Sequence, residues 1–443
     1  MKDKNLKKEV LSLVWPAVIQ GLLSTIILFS DRLILGQYSD LALGSMQVSG
    51  PLMWSLFSLF GAYGSGVLAI IGRSMGASDH RRASQTLGTA LCIGLLLGTI
   101  VGFLGFWSAP SITSCMLGTR TSESLIAPMS ITYLKTVMLS GPLILMGAVT
   151  TVAFQASGDT KTPMWLTLFS GCMNLLVSWI LVFGIGPFPE WGILGAAIGT
   201  ACATTSNALL GLLLVYIRKK KLYIGRPSFF DMQAIFRISW ASFGEKILFH
   251  SGFLIFAAYI GRLGDIEMTT HQSLMAIESL GYIGAHAFGI AAGTLVAQQL
   301  GKKNPQRAEE SVWFSATVGV YTLCAIGLFF VLFATPLIRL FSTDPLVLSL
   351  GIQCMYVAGV AQPLMAITDV FGGALRGAGD TKTPMKVAIV GPLILRPLLC
   401  YLLCFHFNMG LLGIWIGSTA DWLVRSLWLY FAFRKGAWKE IEV

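Results

Sequence analysis

The chain has 443 residues, of which 55% are hydrophobic and 12% charged, and its mean hydropathy is +0.73. A soluble protein of this size has no interior for so much apolar side chain, since roughly half of any folded surface is already apolar. The 31 basic and 21 acidic residues leave a formal charge of +10, but the excess sits in short loops, which excludes a nucleic-acid surface.

Met1 to Val10 is basic and precedes an apolar run, as in a signal peptide; that run is too long and has no A-x-A site, so it is expected to stay as the first helix. Apolar blocks follow at 10–36, 48–72, 86–109, 128–155, 163–186, 192–217, 238–261, 269–297, 311–335, 349–374, 384–407 and 410–433. About 20 apolar residues cross ~30 Å of hydrocarbon as a helix. In lipid every backbone amide needs an internal partner, and the alternating strands of a barrel are absent. The fold class is therefore an all-α polytopic membrane protein with 12 uninterrupted transmembrane helices. Seven of the eight cysteines lie in apolar blocks and Cys115 in an outer loop. With no CxxC pair they are expected to be buried small hydrophobes, and neither metal nor cofactor is expected.

The termini and even-numbered loops, with Lys386 at the very start of the eleventh block counted among them, together hold 23 of the 31 basic residues, including Arg218-Lys219-Lys220-Lys221; the odd-numbered loops hold Arg120, Arg262 and Arg339. The positive-inside rule then places both termini in the cytoplasm of a protein in the inner membrane.

The chain repeats. Gly158-Asp159-Thr160-Lys161-Thr162-Pro163-Met164 recurs as Gly379-Asp380-Thr381-Lys382-Thr383-Pro384-Met385, an offset of 221; Gly76 and Arg82 answer Gly301 and Arg307 at 225; Gly195 and Gly199 answer Gly413 and Gly417 at 218. Each half has six crossings, so both enter from the same side as a parallel repeat. The expected organisation is two six-helix bundles, 1–217 and 238–443, joined by a basic linker over 218–237. Paired bundles suit alternating access about a central cleft. The GDTKTPM segments are expected to be turns, with Pro in a first helical turn, and Gly61 to Gly66 a helix-packing run and no phosphate loop.

Ionisable residues inside spans cost about 2.5–3.5 kcal/mol at the bilayer centre and mark function or pairing. Five acids qualify: Asp31, Glu245, Glu278, Asp369 and Asp421; Arg32, Lys135, Lys246, Arg396 and Arg425 share the spans. Asp31 leads. At comparable depth span 5 offers Ser178, with Asn174 a turn deeper, and span 6 offers Thr200. One carboxylate ringed by amide and hydroxyl oxygens is suited to Na⁺ or to a proton. In the second half Glu278 shares a stripe with His271, Tyr282 and His286, while Glu245 and Asp369 lie a turn or two from the cytoplasmic end. Asp421 has Arg425 at i+4 and Arg396 at similar depth, the pattern of structural ion pairs. The cleft is expected to use Met53, Trp54, Tyr63, Met275 and Tyr282, with Phe57 and Met146 beside them, as polarisable and cation–π surfaces for a small organic molecule.

The motifs QASGDTKTPM and LRGAGDTKTPM, the loops GRSMGAS and AQQLGKK, and the run NLLVSWILVFGIGPFPEWGILGAAIGT together resemble the multidrug and toxic compound extrusion (MATE) family, in the manner of its DNA-damage-inducible branch. The likeness spans the whole chain. It implies export of organic, often cationic, compounds driven by inward protons or sodium, by a monomer in the lipid bilayer. It also implies that Asp31, Asn174 and Thr200 fall on the family's acid, asparagine and threonine positions. Ser178 departs from the branch, where a second carboxylate is common. The alternative function is a flippase for a lipid-linked precursor, but intramembrane charge balanced at five against five does not suit a polyanionic headgroup. An enzyme is not expected: no nucleophile–base pair or HExxH motif is present, and the histidines stand singly.

Overall fold

A computed structural model describes residues 4–117, 126–217 and 222–441. Arg120 and the Arg218-Lys219-Lys220-Lys221 run lie outside them, as do the side chains of Trp54 and Phe57. The described residues are almost wholly helical. The helices are α1 (Lys4–Tyr38), α2 (Asp40–Gly76), α3 (His80–Leu117), α4 (Ile126–Leu139), α5 (Gly141–Ala156), α6 (Lys161–Phe183), α7 (Ile193–Ile217), α8 (Phe229–Ile260), α9 (Asp265–Gly301), α10 (Pro305–Leu332), α11 (Ala334–Arg339), α12 (Pro345–Ala378), α13 (Lys382–Ala388), α14 (Arg396–Tyr401) and α15 (Gly410–Lys435).

Among the described residues nine helices are long and apolar enough to cross a membrane, or ten when α4 and α5 count as one bent span. α2 and α15, at 37 and 26 residues, complete twelve crossings. Asp421 and Arg425 lower the hydropathy of α15, and both are buried inside the protein.

Two spans depart from uninterrupted helix. Span 4 bends by 56° between α4 and α5. Pro142 opens α5, so its missing N–H falls where helical amides are unpaired anyway. The bend fits α3: a Cβ on Gly98 would lie 2.7 Å from the Gly141 carbonyl oxygen, so only glycine admits the corner. Span 11 loosens into π turns at 389–395 and 402–406, on either side of α14. Pro392 and Pro397 each remove an amide that a regular ladder needs.

The repeated turns fold alike. Gly158 and Gly379 take φ of 86° and 92°, a left-handed conformation that glycine adopts without a Cβ clash. Asp159 Oδ1 accepts from the Thr162 amide at 3.0 Å and Oδ2 from its hydroxyl at 2.6 Å; Asp380 does the same with Thr383 at 3.1 and 2.7 Å. Lys161 and Lys382 begin the helices that follow.

The residues divide into two compact units. One comprises Ile19–Val67 and Ser78–Ile235; the other comprises Phe236–Val443 with Met1–Val18 and Leu68–Ala77. In the first, Leu35, Met46, Met53, Tyr133, Val137 and Val182 form a core. In the second, Val10 and Val14 of α1 pack with Phe288, Phe371, Phe433 and Trp438. The early part of α1 and the end of α2 thus group with α8–α15. The residues after 221 run along α3: Tyr223 and Gly225 donate to the Ser84 hydroxyl and carbonyl at 3.1 and 2.9 Å, and Ser228 to Thr89 Oγ1 at 2.9 Å. α8 starts at Phe229, nine residues before the apolar block, because a helix outside lipid needs amide pairing and no apolar side chains.

Candidate functional site

In the first unit α1 carries Asp31 to a point where α4, α6 and α7 converge. Asp31 is 6% exposed. Asn174 Nδ2 lies 3.5 Å from Asp31 Oδ2 and 3.4 Å from Thr200 Oγ1, donating to both. The Tyr133 hydroxyl stands 3.3 Å from Thr200 Oγ1 and extends the chain of polar groups onto α4. Asp31 Oδ1 and Asn174 Oδ1 have no partner among the described residues. Two buried acceptors without donors are expensive unless a proton or cation joins them. No ion pair joins Asp31 to Arg32, which is exposed.

Ser178 is on the same helix face as Asn174 but turns elsewhere. A Cβ on Gly199 would lie 2.0 Å from Ser178 Oγ, so the serine presses against the backbone of α7. Its hydroxyl is fully buried and has no partner among the described residues. The structure therefore brings Asp31, Asn174 and Thr200 into one polar chain and leaves Ser178 beside it. Tyr133 was not singled out from the sequence; the available signal was a hydroxyl-bearing ring in an apolar run two residues from Lys135.

In the second unit an open cavity is lined by α8, α9, α12, α13 and α15. Glu245 and Asp369 both line it, and each has a basic neighbour. Arg376 Nη1 donates to Glu245 Oε1 at 2.9 Å. His286 Nδ1 is 3.8 Å from Asp369 Oδ1, and its ring stacks on Tyr282 at 6.2 Å. Arg376, which the sequence assigns to the loops, lies on α12 two turns from Asp369 on the same face. The stripe around Glu278 divides: Tyr282 and His286 line the cavity, whereas His271 packs between Phe256 and Trp415 at 5.5 and 5.8 Å. Glu278 itself has no hydrogen-bond partner among the described residues.

Arg396, Asp421 and Arg425 stand together. Arg396 Nε and Nη2 reach Asp421 Oδ2 at 2.9 and 2.8 Å, and Arg425 Nη1 lies 3.8 Å from the same oxygen. Of the aromatic and methionine residues expected in a cleft, Tyr282 lines the cavity. Met53 is a core residue of the first unit, and Tyr63 is buried with its hydroxyl donating to the Ala90 carbonyl at 3.2 Å. Met275 packs against Phe256, Leu274 and their neighbours.

Twelve membrane-crossing helices in a doubled sequence, with buried ionisable side chains on several of them, define a polytopic membrane transporter. The MatE family model matches residues 16–180 and 241–402, and the chain belongs to that family, the multidrug and toxic compound extrusion transporters. It is 26% identical to the probable multidrug resistance protein NorM of Thermotoga maritima, over 99% of this chain and 94% of that protein. It is likewise 26% identical to the FAD transporter of Shewanella oneidensis, over 90% and 87% of the two chains. A crystal structure of MATE in complex with MaL6 has the same fold, with a TM-score of 0.89 at 19% identity and 98% of each chain covered.

Proposed function

We propose that the protein is a secondary antiporter that exports organic compounds, cationic or amphiphilic, in exchange for H⁺ or Na⁺. Asp31 is the coupling carboxylate, with Asn174, Thr200 and Tyr133 as its polar shell and Ser178 as backing. The observation that carries this reading is the buried Asp31 carboxyl with one oxygen unsatisfied, next to an unsatisfied Asn174 carbonyl. A proton on Asp31 removes the charge, and a monovalent cation satisfies both oxygens. Either ligand stabilises one arrangement of the surrounding helices, and substrate stabilises the other, which is the requirement for exchange. The lobes that alternate are 1–217 and 238–443, both termini are cytoplasmic, the membrane is the inner membrane, and the unit is a monomer.

Family membership and the relatives named for multidrug resistance support export of small molecules. Flipping of a lipid-linked precursor finds no support among them. The test is purified protein in liposomes with pH and sodium gradients imposed one at a time. Movement of an organic cation against one of them is the expected result; movement under neither sinks the antiport reading.

A further inference from the structure

The permanent charges around the cavity of the second unit cancel. Glu245 and Asp369 line it, and Asp421 stands behind Arg425; Lys246, Arg376 and Arg425 are the cations that face them. Outside the lining, Arg396 also holds Asp421 and is opposed by Glu278. Arg376 is committed to Glu245 at 2.9 Å, and Arg425 lies 3.8 Å from Asp421. Asp369 differs from both. Among the described residues it has no lysine or arginine within 4.0 Å, and the basic group beside it is His286, with Nδ1 3.8 Å from Asp369 Oδ1.

His286 is placed to vary that balance. Its side chain is 53% exposed although α9 is a membrane-crossing helix, and its ring lies parallel to that of Tyr282, one turn earlier, at 6.2 Å. The charged groups that share the cavity with it are Glu245 and Lys246 from α8, Asp369 and Arg376 from α12, and Arg425 from α15; α13 contributes apolar residues. A second imidazole on α8, His250, is buried outside the lining. α10, which packs against α9, carries no charged residue beyond Glu310 in its first turns. The lining thus holds one imidazole, the side-chain class that ordinarily changes charge between about pH 5 and 8. A polar group in a membrane span that is open to a cavity is retained for what it does there.

We propose that His286 is a charge switch that sets whether Asp369 is open to a cationic group of the exported molecule. With the imidazole neutral, the Asp369 carboxylate has no permanent counter-ion and receives that group, with Tyr282 as its aromatic wall. One proton taken up from solution makes His286 a cation. It then pairs with Asp369 and leaves the cavity with one positive charge in excess. Both effects act against a cation, and neither acts on an uncharged molecule. The switch rests on the export reading and deepens it: cargo loaded at neutral pH is let go where the solution is more acidic, through a side chain in a different unit from Asp31.

The test is equilibrium binding to the full chain in phosphatidylcholine nanodiscs at about pH 8 and about pH 5, the two sides of the imidazole range. Two naphthalene probes share one body; one ends in trimethylammonium and the other in the uncharged tert-butyl group of the same shape. The trimethylammonium probe is expected to bind about ten-fold or more weakly in acid, the size of one added charge in a partly solvated cavity, and the tert-butyl probe to bind alike at both. His286→Gln should bring the cation's pH ratio close to one at the tighter affinity, and His250→Gln should retain the ratio. Asp369→Asn should hold the cation at the weaker affinity throughout. The proposal is overturned if the unaltered protein binds the cation equally at both pH values or not at all. An unchanged ratio in His286→Gln, or its loss in His250→Gln, overturns it too. If His286→Gln does not fold, Asp369→Asn decides: tight, pH-dependent binding of the cation by that variant is equally fatal. The measurement needs no gradient, so the antiport reading stands or falls separately: a ratio that holds while the probe moves under neither gradient keeps the switch and sinks exchange.

Discussion

Gly76 abuts Gln298 so closely that a Cβ on the glycine would stand 2.0 Å from the glutamine carbonyl oxygen. Their repeat mates return the contact: a Cβ on Gly301 would stand 2.1 Å from the Arg73 carbonyl. The ends of α2 and α9 therefore meet backbone to backbone through a reciprocal pair of positions 225 apart in the chain. Arg73 adds a hydrogen bond to the Ala378 carbonyl at 3.0 Å. Neither glycine has positive φ, so the need is for space. Gly76→Ala and Gly301→Ala are each expected to cost about 1–3 kcal/mol, the usual penalty for overpacking. Thermal melting in detergent measures this, and an unchanged midpoint in both variants would show that the helix ends are not held together as described.

Asp31→Asn keeps volume and hydrogen-bonding capacity but removes the charge. The variant should reach the membrane in normal amounts, lose gradient-driven efflux, and retain most of its substrate binding in detergent. Tyr133→Phe leaves the carboxylate and Asn174 untouched, so it should slow exchange by less. Glu278→Gln is the control from the other unit and should keep more coupling than Asp31→Asn. Undiminished gradient-driven export by Asp31→Asn would move the coupling role to Glu278 or the cavity acids.

Asp421 is fully buried and is the shared acceptor for Arg396 and Arg425. Asp421→Ala leaves two cations without a counter-charge, and breaking a buried pair this way costs about 3–5 kcal/mol. Arg396→Leu with Asp421→Leu removes the closer pair together and should recover part of the loss. The readout is folded yield and melting temperature for the single and double variants; a double variant no better than the single contradicts the pairing.

At the chain's end Trp438 stacks on Phe433 at 4.8 Å, and Lys439 Nζ reaches Glu309 Oε2 at 2.5 Å. The lysine hydrogen bond holds the Glu309 carboxyl below the usual 4.5. A depressed carboxyl stabilises the fold above its unfolded value, and the contribution is lost as pH falls through the folded one. Protection of the Ala437–Glu440 amides from hydrogen exchange should therefore hold at neutral pH and decline in acid below the ordinary glutamate range. Lys439→Gln should show the weaker protection already at neutral pH. The effect is small, because both groups are partly solvated.

The crossings, the doubled turns and most of the ionisable residues inside the spans were legible in one dimension, because their causes are local. Hydrocarbon thickness sets the length of an apolar run. Gly158-Asp159 and Gly379-Asp380 stood out because a seven-residue segment recurs there, and a glycine followed by aspartate and Thr-Pro reads locally as a turn into a helix. A residue's number along a helix also gives its depth, which put Asp31, Ser178 and Thr200 at comparable levels and Asn174 a turn deeper. Depth is not azimuth. Which charges meet depends on how each helix is rotated and against which neighbour, and that comes from packing far along the chain. Arg376 reaches Glu245 across 131 positions, and Tyr133 reaches Thr200 across 67. Ser178 shares a face with Asn174, yet the close approach of Gly199 holds it against α7. The bend at Ser140 likewise needs the glycines of α3 to receive it. The sequence determined that there are ionisable residues in the spans and how deep they lie; tertiary packing alone decided which are paired and which, like Asp31, keep an oxygen without a partner among the described residues.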